Sequence, residues 1–366
     1  IENADAGIII TASHNPREWN ALKLLNNKGE FINAEDGKNL MSIADSNPTF
    51  DENINLGSVT FNDSYIDTHI DLILKLPFID SESIKRRKFK VVVDAVNSTG
   101  GIAIPKLLER LGVETIKLYC DPTGEFPHNP EPLKENLSDL SKLVVSQAAD
   151  LGIVVDPDVD RLAFVSEDGE VFGEEYTLVA CADYYLKHNP GNTVSNLSSS
   201  RALKDVSGLN GCNHFFSAVG EVNVVELMKK KNAVIGGEGN GGIILPDLHY
   251  GRDALVGIAL FLSHLSNLNI SCSKLRSKYP SYFMSKDKIM LDKTVNVDKI
   301  INEISKKYSD QEINNEDGLK IDFENSWVQL RKSNTEPIIR VYSEAKSQEE
   351  ANMLSSKFID EINMIK

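Results

Sequence analysis

The chain has few of the residues that mark disulfide-bonded, membrane-spanning or nucleic-acid-binding proteins. Its four cysteines (Cys120, Cys181, Cys212 and Cys272) form no CxxC pair, so we expect free buried thiols in a cytoplasmic protein rather than disulfides or a zinc site. No apolar run approaches the roughly 18 residues of a membrane span. Basic residues are also in deficit, because 39 Lys and Arg stand against 54 Asp and Glu, a net charge of −15. This balance argues against nucleic acid or an anionic membrane as the main partner, but it allows a small anion in a local basic pocket.

The order of apolar patterns along the chain predicts several α/β units followed by a different C-terminal domain. A length of 366 residues exceeds what one hydrophobic core usually organises. Strand-like runs alternate with amphipathic helical stretches up to about residue 280, which is typical of three-layer mixed sheets. Beyond that point strands and helices are segregated, as in an α+β domain. We predict four segments, 1–76, 77–173, 174–280 and 281–366.

The first loop that carries candidate catalytic residues is Thr11–Pro16. It follows an apolar run, Ala6–Ala12, that is predicted to be a buried strand. Ser13 could serve there as a nucleophile. No G-x-S-x-G turn surrounds it, however, and the adjacent His14 cannot be its base by adjacency alone. The alternative is a helix N-cap at Ser13 or Asn15, and spacing alone favours this cap.

The second loop places Asp156, Asp158 and Asp160 at alternate positions after a strand predicted at Leu151–Val155. Three carboxylates repel one another without a cation, so a Mg²⁺ site is the favoured interpretation. A calcium EF-hand would also use these aspartates together with Glu167, but Arg161 stands where its turn needs glycine and a strand follows. A solvated acidic turn is the remaining alternative.

The third loop, Gly236–Gly242, satisfies the G-x-G-x-x-G dinucleotide fingerprint after a predicted strand. That fingerprint must open a helix, whereas Ile243–Pro246 has an extended pattern, so nicotinamide binding is disfavoured. We expect instead a glycine-rich turn that lets Glu238 and Asn240 reach the hydroxyls of a polyol.

The fourth loop, Arg331–Pro337, is followed by Arg340. Two arginines, two hydroxyls and the amides of a turn make a suitable phosphate cradle. The alternative is an ordinary turn between strands that carries surface arginines.

Together and in this order, the four loops resemble those of the α-D-phosphohexomutase family. The family's TASHNP serine loop matches Thr11–Pro16, its DxDxDR metal loop matches Asp156–Arg161, its GExxG sugar loop matches Gly237–Gly241, and its R-x-S-G/N-T-E-P-x-x-R phosphate loop matches Arg331–Arg340. The likeness covers essentially the whole chain. It implies three α/β mixed-sheet domains and a C-terminal α+β domain around a central cleft. The first domain would be incomplete, because family members carry further residues before the serine loop.

The resemblance also implies a reaction and a set of site residues. A hexose phosphate would be interconverted between its 1- and 6-phosphates through a phosphorylated Ser13 and a bisphosphate intermediate, with one Mg²⁺ per active site. The implied catalytic residues are Ser13, His14, Lys23 and Arg161, and the implied metal ligands are Ser13, Asp156, Asp158 and Asp160. Glu238, Asn240, Arg331, Ser333, Asn334, Thr335, Arg340 and Arg201 would bind substrate. Lys23 is the candidate general acid/base, with a pKa that neighbouring cations would lower.

Departures from the family pattern leave the sugar open. Many members carry a histidine where this chain has Gly242, and His249 is a candidate to replace it. Gly220–Asn223 is expected to form a further substrate-facing loop. The GEGNGG and SNTEP sequences resemble a prokaryotic branch, for which we expect glucosamine phosphate as substrate and phosphomannomutase/phosphoglucomutase activity as the alternative. A catalytically silent sugar-phosphate-binding protein is a distant alternative, and a homo-oligomer stays open.

Overall fold

The computed structural model describes residues 2–49, 57–292, 295–333 and 337–365. Its strands are β1 (Gly7–Ile10), β2 (Leu22–Leu25), β3 (Lys90–Asp94), β4 (Glu114–Leu118), β5 (Leu151–Val155), β6 (Leu162–Ser166), β7 (Asn192–Asn196), β8 (His214–Ser217), β9 (Ala233–Glu238), β10 (Gly242–Leu245), β11 (His249–Arg252), β12 (Phe283–Met290), β13 (Glu312–Asn314), β14 (Leu319–Asp322), β15 (Trp327–Lys332) and β16 (Ile338–Ala345). Its helices are α1 (Ala34–Asp45), α2 (Tyr65–Leu74), α3 (Ser81–Arg87), α4 (Gly100–Arg110), α5 (Ser138–Ser146), α6 (Glu174–His188), α7 (Ala202–Leu209), α8 (Glu221–Lys231), α9 (Ala254–Leu268), α10 (Cys272–Arg276), α11 (Val297–Lys307) and α12 (Gln348–Ile365), with a 3₁₀ turn at Lys134–Asn136.

The first sheet is a two-stranded antiparallel ribbon of β1 and β2. The prediction of a buried strand over Ala6–Ala12 is wrong in its burial: Ile8 and Ile10 are 63% and 72% exposed. Within the described part of the chain, no other element covers the face of the ribbon that carries Ile8 and Ile10. The ribbon still positions the serine loop, because the Thr11 amide donates to the Ala21 carbonyl at 3.1 Å.

The second sheet, in the order β4-β3-β5-β6, is mixed as predicted. β3 pairs in parallel with β4 and β5, and β6 is antiparallel to β5. Every residue of β5 is buried, which explains its continuous apolar run. The aspartate loop therefore begins at the carboxyl end of a central strand, where α/β sheets bind ligands.

The third sheet, in the order β11-β10-β9-β7-β8, is also mixed. β7 pairs in parallel with β8 and β9, whereas β9, β10 and β11 are antiparallel neighbours. The glycine-rich loop is the turn between β9 and β10, so a strand and not a helix follows it. This confirms the argument against a dinucleotide fingerprint.

The fourth sheet, in the order β12-β16-β15-β14-β13, is antiparallel throughout and packs against α11 and α12. Its own core includes Ile304, Leu330 and Phe358, all fully buried. The predicted α+β character of the C-terminal domain is confirmed.

One hydrophobic core joins the second and third sheets. Helix α9 is buried from Ala254 to Leu265 and packs against α2, α3 and α6. Phe164 of β6 stacks on Phe261 of α9, with ring centroids 3.7 Å apart. The strands that carry the aspartate loop and the glycine-rich loop are therefore held by the same hydrophobic core.

The four cysteines are free, as predicted. Cys120, Cys181 and Cys272 are buried and Cys212 is half-buried. Burial raises the pKa of the Cys120 thiol to about 11, which keeps it in the unreactive protonated form. Among the described residues, every helix is too short or too polar to traverse a lipid bilayer.

Candidate active site

The serine loop is a series of turns and not a helix start, so the helix-cap alternative at Ser13 or Asn15 is wrong. Ser13 has a backbone φ of 53°, in the left-handed region that non-glycine residues rarely occupy. Its amide donates to Thr11 Oγ1 at 2.9 Å, and the Asn15 amide donates to the Ala12 carbonyl at 3.1 Å. Backbone strain of this kind persists where surrounding contacts enforce it, and it is concentrated at functional sites.

Ser13 faces the aspartate loop. Its Oγ donates to Asp156 Oδ2 at 3.3 Å, while Thr11 Oγ1 donates to Asp158 Oδ2 at 3.2 Å. Carboxylate oxygens of Asp156, Asp158 and Asp160 all lie within 4.8 Å of one another. The structure therefore brings together the serine and the three aspartates predicted from the sequence.

The electrostatics of the three carboxylates fit a bound cation. Asp156 is fully buried, and this burial, reinforced by the charges of Asp160 and Asp158, raises its pKa well above the ordinary range. Asp158 Oδ1 and Asp160 Oδ1 are buried and accept no hydrogen bond from the residues that the structure describes. Such orphaned acceptors are costly unless a ligand completes them. An all-oxygen set of this kind suits a hard divalent cation.

Lys23 lies between two of the aspartates. Its Nζ donates to Asp158 Oδ2 at 2.6 Å and to Asp160 Oδ2 at 2.9 Å. Burial alone would lower the Lys23 pKa, but the two carboxylates raise it. The predicted lowering is therefore wrong, because anions and not cations surround this ammonium group.

His14 lies between the serine and Arg161. Its Nδ1 is 3.3 Å from Ser13 Oγ, and its Nε2 is 3.4 Å from an Arg161 guanidinium nitrogen. Burial, followed by the charge of Arg161, lowers the His14 pKa. Arg161 is itself anchored by Glu131 Oε1, which accepts from Nη1 at 2.7 Å. The four predicted catalytic residues thus form one contact network with the aspartates.

Arg252 is the main site residue that the sequence reasoning missed. Its guanidinium contacts three carboxylates: Asp160 at 2.7 Å, Glu221 at 2.9 Å and Glu238 at 2.9 Å. Arg252 thereby joins the aspartate loop to the glycine-rich loop and to the start of α8. The available signal was an arginine directly before Asp253, in a segment that follows the glycine-rich loop.

Glu238 is buried, and both of its carboxylate oxygens are engaged. Asn196 donates to one at 2.8 Å and Arg252 to the other. Asn240 is half-buried, and its side-chain oxygen accepts from the Gly242 amide at 3.2 Å. The glycine-rich loop also contacts the start of β6, directly after the aspartate loop, because the Gly241 carbonyl accepts from the Leu162 amide at 3.1 Å. His249, the candidate to replace the missing histidine, has its Nε2 bonded to Asp253 at 3.1 Å.

The phosphate loop carries two cations on neighbouring strands. Arg331 of β15 and Arg340 of β16 are direct cross-strand partners. Asp317 pairs with Arg331 at 2.8 Å, whereas Arg340 contacts the Tyr342 hydroxyl at 3.3 Å. Like charges placed opposite each other on a sheet destabilise it, so the pair favours an anion. Ser333 lies at the end of this hairpin, while Asn334 and Thr335 fall outside the described residues.

Arg201 lies at the contact between the third and fourth sheets. Its amide donates to Glu344, and its guanidinium points to the Phe323 and Ser326 carbonyls at 3.4 and 3.5 Å. The guanidinium also lies over the Tyr282 ring. These contacts do not bring it to the other predicted site residues within the described structure.

A bonded path connects the phosphate loop to the aspartates. Asp317, the partner of Arg331, accepts from the Val219 amide at 3.0 Å. Val219 precedes Glu221, whose carboxylate holds Arg252 beside Asp160. The predicted loop at Gly220–Asn223 is instead the start of a helix, because Gly220 is the N-cap of α8 and Glu221–Asn223 form its first turn. This helix start stands between the two charged centres. A cavity of about 150 Å³, lined by Lys23, Glu221 and Arg252 among others, opens at this junction.

Comparisons with known proteins agree with this arrangement. Family models match in chain order: phosphoglucomutase/phosphomannomutase alpha/beta/alpha domain I at residues 2–50, domain II at 63–169, domain III at 173–282 and the C-terminal domain at 289–361. A phosphoglucomutase/phosphomannomutase from Thermococcus kodakarensis is 35% identical, over 95% of this chain and 76% of the relative. A probable phosphoglucosamine mutase from Methanopyrus kandleri is 32% identical, over 98% and 79%.

Solved structures show the same architecture. A phosphoglucomutase/phosphomannomutase family protein from Burkholderia thailandensis superposes with a TM-score of 0.82 at 26% identity, covering 98% of this chain and 76% of that one. An N-acetylphosphoglucosamine mutase from Aspergillus fumigatus shares the fold, with a TM-score of 0.64 at 14% identity over 99% and 89%. The chain therefore belongs to the phosphoglucomutase/phosphomannomutase family of phosphohexomutases, which are isomerases.

Proposed function

We propose that this phosphohexomutase carries its phosphoryl group on Ser13 and exchanges it with either end of a hexose phosphate. The observation that carries the proposal is the strained Ser13 turn, whose Oγ lies 3.3 Å from a cluster of three aspartates with two orphaned oxygens. Phosphoryl transfer needs little covalent help from the protein and depends on alignment and charge neutralisation. The cluster lies opposite Ser13, and the cation that it would hold would supply the neutralisation.

The metal ion in this proposal is one Mg²⁺. Asp156, Asp158 and Asp160 would hold it together with an oxygen of phosphorylated Ser13, because hard cations prefer oxygen ligands. When bound, Mg²⁺ neutralises charge on the phosphoryl oxygens.

The chain's own residues orient the transfer. The step breaks the P–O bond at Ser13 Oγ, forms one at the sugar hydroxyl, and moves the hydroxyl proton to Ser13 Oγ. Lys23, held protonated by its carboxylates, is a local cation, and it can relay this proton by giving one to Ser13 Oγ and taking the hydroxyl proton in return. Arg161 places a second cation at the loop, and His14 orders the loop between Ser13 and Arg161. The reverse step, from the other end of the sugar, returns the phosphoryl group.

The idle phosphate would be held by Arg331 and Arg340, together with Ser333, Asn334 and Thr335. This group of residues would recognise the negative charge of a phosphate, so it would accept either phosphate of the bisphosphate intermediate. Glu238 and Asn240 would recognise the ring hydroxyls by hydrogen bonds. Arg201 would contribute by holding the C-terminal domain against the third sheet.

Glucosamine phosphate is the sugar we propose, in a cytoplasmic reaction. Relatives named probable phosphoglucosamine mutase, from Methanopyrus kandleri and Pyrococcus horikoshii, are 32% and 33% identical. The acidic group of Glu221, which lines the cavity together with Asp158 and Asp160, would attract a 2-ammonium group. Phosphomannomutase/phosphoglucomutase activity is the alternative, supported by the Thermococcus kodakarensis relative.

Phosphoryl labelling tests the serine assignment. Wild-type protein incubated with ³²P-labelled hexose 1,6-bisphosphate should retain label, and Ser13→Ala should retain none. Ser42→Ala, which changes an exposed serine on α1, is the matched control and should label normally. Label on Ser13→Ala at the wild-type level would show that another residue carries the phosphoryl group.

Coupled assays test the sugar. The 1-phosphates of glucosamine, glucose and mannose are supplied in turn, and formation of each 6-phosphate is followed. The proposal expects the highest kcat/KM for glucosamine. A higher value for mannose or glucose would establish the alternative.

A further inference from the structure

Two histidines and one aspartate meet where α2 lies against the start of α9. His69 Nε2, on α2, is 2.7 Å from Asp253 Oδ2, and His249 Nε2, on β11, is 3.1 Å from the same oxygen. The two imidazole rings are 5.7 Å apart between centroids. None of the three residues has a part in the proposed phosphoryl transfer.

Asp253 is a fixed, ionised carboxylate. Its Oδ1 caps α9, accepting from the amides of Leu255 and Val256 at 2.8 and 3.1 Å. Burial alone would raise the Asp253 pKa, but the two histidines hold it far below its usual range. The second oxygen, Oδ2, is therefore left as a charged acceptor that both imidazoles share.

We propose that His69, His249 and Asp253 form a binding site for a divalent transition metal of the zinc class. Two imidazole nitrogens and one carboxylate oxygen, with water in the fourth position, suit Zn²⁺ or Co²⁺, whereas Mg²⁺ prefers oxygen ligands. The three ligand atoms already lie within 4.8 Å of one another. Tetrahedral zinc bonds of about 2.0–2.1 Å imply ligand separations of roughly 3.3 Å. Small side-chain shifts are enough to admit the ion.

The ion would act as a clasp between two domains. His69 comes from the segment matched by domain II, and His249 and Asp253 come from the segment matched by domain III. Asp253 directly follows Arg252, so the same clasp would restrain the arginine that bridges Asp160 and Glu238. The role is structural, and the ion does not take part in phosphoryl transfer.

Cobalt absorption tests the site in the full chain. Co²⁺ is titrated into the protein in millimolar Mg²⁺, which saturates the aspartate cluster. One Co²⁺ per chain should produce visible d–d bands of low-coordinate cobalt, and Zn²⁺ should abolish them. Absence of these bands overturns the proposal.

Variants assign the ligands. His69→Gln and His249→Gln should each lose the bands, and both side chains are partly exposed, so these variants should fold. His128→Gln is the matched control, because His128 is also a partly buried histidine whose Nε2 lies 2.9 Å from an aspartate, Asp94, but it lies outside the proposed metal site. It should keep the bands, as should Asp158→Asn in the aspartate cluster. Bands that survive both histidine variants, or that vanish in either control, overturn the assignment.

A thermal measurement provides a second readout. Zn²⁺ should raise the midpoint of unfolding of the wild type and of His128→Gln, and it should leave His69→Gln unshifted. An equal shift in all three proteins overturns the clasp.

Discussion

The Arg252 side chain fills the space that a side chain at Gly242 would need: a Cβ atom built on Gly242 would lie 2.3 Å from Cδ of Arg252. The absence of a side chain at position 242 is therefore what allows the arginine to reach Asp160, Glu221 and Glu238. Gly242, which stands where many family members have histidine, leaves room for the Arg252 guanidinium.

Gly242→Ala should displace the Arg252 side chain and lower kcat/KM, because the arginine could no longer hold its three carboxylates in place. Gly208→Ala is the matched control: this exposed helical glycine has no atom within 4 Å of a built Cβ. It should leave activity unchanged and add up to about 1 kcal/mol of stability. Steady-state kinetics and urea unfolding of both variants measure the difference. Wild-type kcat/KM in Gly242→Ala would contradict the shared-volume argument.

Arg252→Gln should lower the free energy of unfolding by about 3 kcal/mol, since it strips a buried cation from carboxylates that stay buried. The Arg252 side chain is only 9% exposed. Arg110→Gln breaks the exposed pair with Asp71 and should cost less than about 1 kcal/mol. Equal losses in the two variants, measured by urea unfolding, would show that the buried network has no special weight.

Asp158→Asn should remove metal dependence and reduce the rate by about a hundredfold or more, because a proposed ligand of the phosphoryl-neutralising ion is lost. In the wild type, Mg²⁺ should raise the unfolding temperature; in the variant that rise should vanish. Asp63→Asn, an exposed carboxylate before α2, should behave like wild type in both assays. A variant that retained its Mg²⁺-dependent thermal shift would place the ion elsewhere.

Arg331→Ala should raise KM for the phosphosugar about tenfold or more, because half of the proposed cationic clamp is lost while the proposed chemistry at Ser13 is untouched. The neighbouring Lys332 is exposed and, by strand alternation, lies on the other face of β15. Lys332→Ala should leave KM close to wild type. Kinetic comparison of the two variants tests whether position and not net charge matters.

His128 should make stability depend on pH. Burial alone would lower the His128 pKa, but its hydrogen bond and ion pair with Asp94 raise it. A raised folded-state pKa means that the stabilisation is complete below the unfolded value of about 6.5 and is lost as pH rises through the folded value. The difference in unfolding free energy between wild type and His128→Gln should therefore shrink from about pH 5.5 to 8.5.

The control for this titration is Ser42→Ala, on the exposed surface of α1, which removes no titratable group. Its difference from wild type should not vary over the same range. A His128 difference that grew with pH would reverse the sign of the proposed linkage.

Predicted elements were most accurate where burial imposes a simple pattern. β5 begins and ends as predicted, at Leu151 and Val155, because a strand buried on both faces must be apolar throughout. Helix α1 was not predicted, since none of its residues is buried and its pattern is weak. The strand over Ala6–Ala12 was placed correctly, but its burial was not, because burial depends on which layer covers it.

The residue types, spacing and order of the four loops were readable from the chain by itself, since each lies within a short stretch and follows a strand. Partnerships between distant residues were decided by tertiary packing. Lys23 meets Asp158 across 135 positions and His69 meets Asp253 across 184, and only the docking of separate sheets creates those contacts. A local pattern encodes which groups are present; the charges that surround each group, and hence the raised pKa of Lys23, depend on how the domains pack.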